Sequence, residues 1–379
     1  MVALLLTASF ALVAGGAATA YTRLQGNIAS ADVEVLLGED RPPPPPEPDP
    51  TDPSAGTPVN ILVLGSDTRE GNEQYASDPV EGERADTTIV VHISADRSRV
   101  ELVSIPRDTL VDIPECLRSD GTSSRPQTRE MFNSAFSIGA QSGEITDGAA
   151  CTQKTVEALS GLYIHHFVVV DMSGFVKMVD SLNGVPMCIP NDMYSTKAHL
   201  DLKAGQQTLD GVTALALARA RTGTGLGNGS DTGRIARQQE LLAATARQFL
   251  SMNLLTDVPE LMRFLDATTS SLTVSSGLAS IPDLAGMAFS LRSIREDDIT
   301  FLTIPWEYWV ENRNRVVLTE EAPLVWANLI ADVPVTTGLV PEETPAPAAT
   351  PTPGATTTPA PIPTPGVDPF TSADTTSVC

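Results

Sequence analysis

The chain is 379 residues long, 41% hydrophobic and 19% charged, with 24 basic against 47 acidic residues and a formal net charge of −23. This length exceeds the ~250–300 residues at which a single core usually stops growing, so one large domain or two small ones are allowed. The acidity excludes a protein whose affinity comes from neutralising a nucleic-acid backbone, so no nucleic-acid partner is expected and any anionic substrate must be met by a local island of arginine.

In chain order, Val2 to Ala20 carries no charge. A run of that length spans a hydrocarbon core of ~30 Å as a helix. Residues 1–21 therefore read as a single transmembrane anchor with the domain outside the cytoplasm. The competing reading is a cleaved signal peptide ending at Ala18-Thr19-Ala20. Residues 22–58 include the proline run Pro42 to Pro46, which holds a chain extended and cannot build a core, so this segment reads as a stalk. Residues 336–379 read as a disordered tail, because Pro341 to Pro365 is rich in Thr, Ala and Pro. The folded part is residues 59–335.

Within it, Val59 to Leu64, Thr88 to Ser94, Val100 to Ile105 and His166 to Val170 read as strands, being β-branched or apolar runs bounded by turn residues. Helical patterns cover Thr152 to Leu159, Gly174 to Ser181, Gly211 to Ala218, Ile235 to Leu250, Val258 to Leu265 and Ile281 to Phe289. The expected fold class is α/β, an α-β-α layered domain with a mixed central β-sheet and a mostly helical second half. Met131 to Ala140 and Trp306 to Trp309 read as packing segments, and His165 and His166 as core or edge histidines.

Two constellations carry chemistry. A turn centred between Asp96 and Arg97 would set Asp86 opposite Arg107 in a hairpin, uniting Arg84-Ala85-Asp86-Thr87 with Ile105-Pro106-Arg107-Asp108 at one sheet edge. Asp67 leaves the first strand at its carboxyl end and joins that edge if the first strand runs alongside the third. Two carboxylates near an arginine suit a divalent cation and a phosphate. As turn or cap residues they would mean less.

The second constellation runs from Arg219 to Gln238. Arg219 and Arg221, two apart, would project to one side of an extended segment. Ser230 or Asp231 would cap a helix presenting Arg234 and Gln238 at i, i+4. Guanidinium forks and a helix N-terminus both favour anions. A solvated surface loop is the bland alternative, made less attractive by the scarcity of basic residues. The glycines match neither a P-loop nor a dinucleotide fingerprint, and no serine-hydrolase elbow or zinc-protease helix is present. The four cysteines lack C-x-x-C spacing. In an exported chain they favour disulfides, with Cys116–Cys151 the preferred pair; Cys188–Cys379 would pin the tail, the alternative being a free terminal thiol.

These motifs resemble the LytR-CpsA-Psr family of cell-envelope proteins. The matching pieces, in family order, are Asn60 to Arg69, Arg84 to Thr87, Val103 to Thr109, Phe132 to Phe136, Asn183 to Val185, Leu209 to Gly211, Ala218 to Arg221 and Asp231 to Gln238. The resemblance implies transfer of a phosphoglycosyl polymer from a polyprenyl-pyrophosphate lipid to a peptidoglycan hydroxyl, assisted by Mg²⁺ or Mn²⁺. It implies Asp67 and Asp86 as metal carboxylates and Arg84, Arg107, Arg219, Arg221, Arg234 and Gln238 as the pyrophosphate clamp. Arg107, Asp108 and Asp231 are the expected catalytic residues, with Asp108 and Asp231 unranked as base. Some members carry another basic residue where this chain has Val111. The alternatives are a pyrophosphatase of the same lipid and a noncatalytic module that binds polyprenyl phosphate.

Overall fold

The computed structural model describes residues 18–47, 56–66, 85–226, 231–252, 258–339, 362–374, 376 and 379. Its frame is an eight-stranded sheet built from β1 (Ala29–Ala31), β2 (Val59–Ser66), β3 (Ala85–Ile93), β4 (Val100–Ser104), β5 (His166–Val170), β6 (Leu272–Ser275), β7 (Ile299–Thr303) and β8 (Phe370–Thr371). The spatial order is β1-β6-β5-β2-β3-β4-β7-β8. β2 and β4 each pair antiparallel with β3, whereas β5 joins β2 and β7 joins β4 in parallel. The sheet is thus mixed, as expected.

Alternation along β2 fixes two covered faces. Leu62 and Leu64 enter one core; Ile61 and Val63 face the opposite one. The first face is covered by α1 (Ile145–Ser160), with Phe132 and Phe136 fully buried ahead of it. The same core takes in Val325 and Trp326 from α7 (Ala322–Ile330). A separate core joins α2 (Met172–Ser181), α3 (Gly211–Arg219) and α4 (Asp231–Leu250) to two small ribbons, Val185–Ile189 with Gly205–Leu209 and Met193–Ser195 with Leu200–Leu202. α5 (Val258–Thr269) and α6 (Ile281–Ser290) follow, and Leu284 and Met287 of α6 cover Ile61 and Val274.

The glycines of two sequence motifs serve this second core. Gly184 has φ +86° and Gly211 lies so close to α2 that a Cβ would meet the Val176 carbonyl at 2.3 Å. Both positions need glycine for close backbone approach rather than chemistry.

Several expectations change. The β3–β4 pairing runs from Ile89↔Ser104 to Ile93↔Val100, the register that sets Asp86 opposite Arg107. β2, however, adjoins β3 and β5, not the third strand, β4. The second half of the chain is not mostly helical at the sheet, since it contributes β6, β7 and β8. Trp306–Tyr308 pairs with Val316–Leu318 as a surface hairpin, with Trp306 half-buried and Tyr308 exposed, while Trp326 fills the core.

The folded unit also begins ahead of Val59. β1 pairs with β6, Val33 and Leu37 are buried, and Arg41 forms a bidentate pair with Glu157 at 2.7 and 3.0 Å. At the other end, β8 pairs with β7, and Cys379 is bonded to Cys188. Cys116 and Cys151 form the second disulfide. Residues 18–27 are helical, but no helix among the described residues is long and apolar enough to cross a membrane. Most of the apolar run Val2 to Ala20 lies outside the described residues.

Candidate functional site

Local backbone irregularity builds the centre of the site. Gly65 pairs with Thr87 and Ser66 with Ala85, so Asp86 is the extra residue of a β-bulge. A bulge re-aims its side chain out of the regular alternation. Beyond β4 the ladder continues through an Ile105 N–H to Thr88 carbonyl bond of 3.0 Å. Pro106 then turns the chain, and Thr109 closes that turn by donating to the Pro106 carbonyl. The Asn133 amide donates to the Arg107 carbonyl, and the Val316 amide donates to that of Asp108. Arg107 therefore stands on a braced loop.

Asp86 receives three guanidinium groups from three elements. Arg107 Nη1 donates to Oδ1 at 2.8 Å. Arg221 Nη2 donates to Oδ2 at 2.8 Å. Arg234 Nη1 lies 3.5 Å from Oδ2, and its Nη2 donates to the Asp86 carbonyl at 2.8 Å. Asp108 flanks the group, 3.4 Å from Arg107 Nε. Burial opposes ionisation of Asp86, yet Arg234, Arg107 and Arg221 overcome it and hold the carboxyl far below its usual range.

The two constellations thus meet at Asp86, which no spacing in the sequence indicated. Arg221 and Arg234 join Arg107 there. Gln238 lies against the same segment: its side-chain amide donates to the Ala218 carbonyl at 3.0 Å, bracing the arginines from α4. Arg219 ends α3, so the premise of an extended Arg219–Arg221 segment fails, and Ala220 alone has the extended backbone between them. Asp231 opens α4, but its side chain lies outside the described residues, as do Asp67 and Arg84. The last described neighbours of those two, Ser66 and Ala85, are paired with each other. Val111 is buried in the core, so no cation occupies that position.

Two buried residues of α4 were not singled out from sequence. Arg237 donates to the carbonyls of Ala220 and Leu226, fixing the loop that carries Arg221. Gln239 bridges the Ser104 and Thr303 hydroxyls, each at 3.1 Å, so it ties α4 to the ends of β4 and β7. Their i+3 and i+5 offsets from Arg234 were the available signal. Only burial distinguishes them from solvated residues.

No group of three or more His, Cys, Asp or Glu able to hold a metal occurs among the described residues. Mg²⁺ bound through substrate phosphates takes only one or two protein carboxylates, and Asp86 is a candidate for one of them. Asp86 retains lone pairs beyond those engaged by the arginines.

The described residues thus form a layered α/β domain in which three arginines converge on one carboxylate at one end of the sheet. The model of the LytR_cpsA_psr family matches residues 20–328. The chain belongs to that family. Cell wall biosynthesis protein LcpA of Corynebacterium glutamicum is 29% identical over 265 residues, 65% of this chain and 50% of LcpA. Regulatory protein MsrR of Staphylococcus aureus is 27% identical over 258 residues, 68% of this chain and 67% of MsrR. The chain spans about half the length of LcpA. Among solved structures, a LytR-Csp2A-Psr enzyme from Actinomyces oris matches with TM-score 0.54 and 22% identity over 80% of this chain and 96% of that one. TagT bound to LI-WTA matches with TM-score 0.52 and 22% identity, over 75% and 94%. These two likenesses establish the shared fold.

Proposed function

We propose that this protein transfers a phosphoglycosyl polymer from a polyprenyl-pyrophosphate lipid to a peptidoglycan hydroxyl. The observation that carries the reading is the convergence of Arg107, Arg221 and Arg234 on Asp86. The guanidinium forks gathered at that point suit the oxygens of a pyrophosphate. The names of LcpA, a cell wall biosynthesis protein, and of TagT bound to LI-WTA are in keeping with such a substrate.

In the proposed reaction the acceptor oxygen bonds to the sugar-linked phosphorus and the bridging P–O bond breaks. The electron pair leaves with polyprenyl phosphate, and the acceptor proton passes to a carboxylate, Asp108 or Asp231. Arg107, Arg221 and Arg234, joined by Arg219 and by the Arg84 that the family resemblance adds, would stabilise charge on the bridging and leaving oxygens without reorganising. Mg²⁺ or Mn²⁺, held by Asp86 and Asp67, would neutralise further phosphate charge when bound. The disulfides Cys116–Cys151 and Cys188–Cys379 support a domain outside the cytoplasm. The apolar run Val2 to Ala20 would tether it to the membrane.

Incubation of the purified protein with a labelled lipid-linked glycan, peptidoglycan and Mg²⁺ tests the proposal. Label should join the peptidoglycan, and Arg107→Ala should slow transfer by about 10²–10³-fold. Wild-type transfer by that variant would sink the assignment, and release of label without acceptor would identify a hydrolase.

A further inference from the structure

A cavity of about 450 Å³ opens at the same edge of the sheet, lined by Thr303, Trp306, Thr319, Glu321, Leu339 and Asp368 among others. Its position follows from the register. Thr303 pairs with Ser104, three residues before Arg107. Trp306 and Tyr308 project to one side of a hairpin strand, their rings edge to face at 5.1 Å. The partner strand of that hairpin is bonded to the arginine loop, Val316 N–H to the Asp108 carbonyl at 3.2 Å. On the far wall, the Gly366 amide donates to Gln239 of α4, the helix that also supplies Arg234.

The chemistry of this cavity is opposite to that of the arginine cluster. Among the described residues two carboxylates, Glu321 and Asp368, line it, and no lysine or arginine does. A pyrophosphate would be repelled. An isoprenoid chain would remove those carboxylates from water without a hydrogen bond in return, which is costly. A neutral sugar satisfies every feature: its C–H face stacks on an indole, and its hydroxyls donate to carboxylates and exchange hydrogen bonds with threonines. The volume lies within the range of small-ligand sites.

We infer that this cavity is a glycan subsite that seats the acceptor sugar beside the arginine cluster, with Trp306 as its stacking platform and Glu321 and Asp368 as its hydroxyl acceptors. The assignment of the sugar as acceptor rests on the transfer reaction proposed above; sugar binding itself does not.

Titration of the full chain with the soluble N-acetylglucosamine–N-acetylmuramic acid disaccharide whose lactyl carboxyl is amidated, and so uncharged, followed by calorimetry, tests it. Saturable binding is expected, weakened tenfold or more by Trp306→Ala and severalfold by Glu321→Gln, an exposed position whose change leaves the fold intact. Farnesyl pyrophosphate should bind independently, unaffected by Trp306→Ala and weakened by Arg221→Ala. Absence of saturable disaccharide binding, equal binding by both cavity variants, or displacement of the sugar by farnesyl pyrophosphate would overturn the subsite. Disaccharide binding without any farnesyl pyrophosphate binding would instead remove the donor reading and leave the sugar subsite standing.

Discussion

Asp86 organises the site because it is bulged and meets three guanidiniums at once. Its two oxygens bridge Arg107 and Arg221, and Arg234, 2% exposed, reaches its carbonyl from below. Replacing it by alanine removes the carboxylate that Arg107, Arg221 and Arg234 share. Asp86→Ala is expected to cost about 1–3 kcal/mol, measured as a shift of the urea midpoint. It should also tighten binding of inorganic pyrophosphate while transfer collapses, since the carboxylate competes with the ligand for the same arginines. Unchanged pyrophosphate affinity would show that the arginines do not share these partners. Asp86 opposite Arg107 was legible in the sequence because a tight turn fixes hairpin register. Arg237 and Gln239 were not, because buried and solvated polar side chains look alike in a sequence.

Among the elements, those with many residues of one pattern were readable and those made by long-range pairing were not. His166–Val170 is found where the run of β-branched residues placed it. β1 and β8, three and two residues long, carry too little periodicity to register and exist because an edge of the sheet receives them. The proline-rich segment behaves similarly at its start. Arg41 is buried against Glu157 and stacks 4.2 Å from the Tyr163 ring centroid, so residues ahead of the prolines anchor the chain to α1. Arg41→Ala should destabilise the domain by about 3–5 kcal/mol, because it strands the Glu157 carboxylate in the interior; thermal melting at fixed pH would show it. Cys379→Ser releases the end of the chain from Cys188. Loss of about 2–4 kcal/mol is expected, together with faster amide exchange across Phe370 and Thr371. Retained protection there would mean that the strand holds without the disulfide.

The whole molecule responds to acid through groups that must stay neutral. Burial first, and then the neighbouring His166 and Arg41, lower the pKa of His165 to about 4. Its Nδ1 accepts a hydrogen bond from the Asn60 amide at 3.0 Å, which only the neutral ring can do. The unfolded chain titrates this residue near 6.5, so between pH ~6.5 and ~4 the unfolded state binds more protons and stability falls as pH falls. The loss should be on the order of 2 kcal/mol, and His165→Asn should flatten the urea midpoint across that window. A variant with the wild-type slope would place the titration elsewhere.

Composition, the alternation of β2 to β4 and the turn at Asp96 and Arg97 determined by themselves an acidic chain, a mixed α/β sheet and one carboxylate–arginine pair, because each depends on local backbone preference. Only the tertiary structure decided that α3, α4 and the sheet edge share Asp86, and that the two chain ends complete the sheet. Those outcomes depend on packing between segments more than a hundred residues apart, such as Asp86 and Arg221, 135 positions apart, for which no local pattern exists.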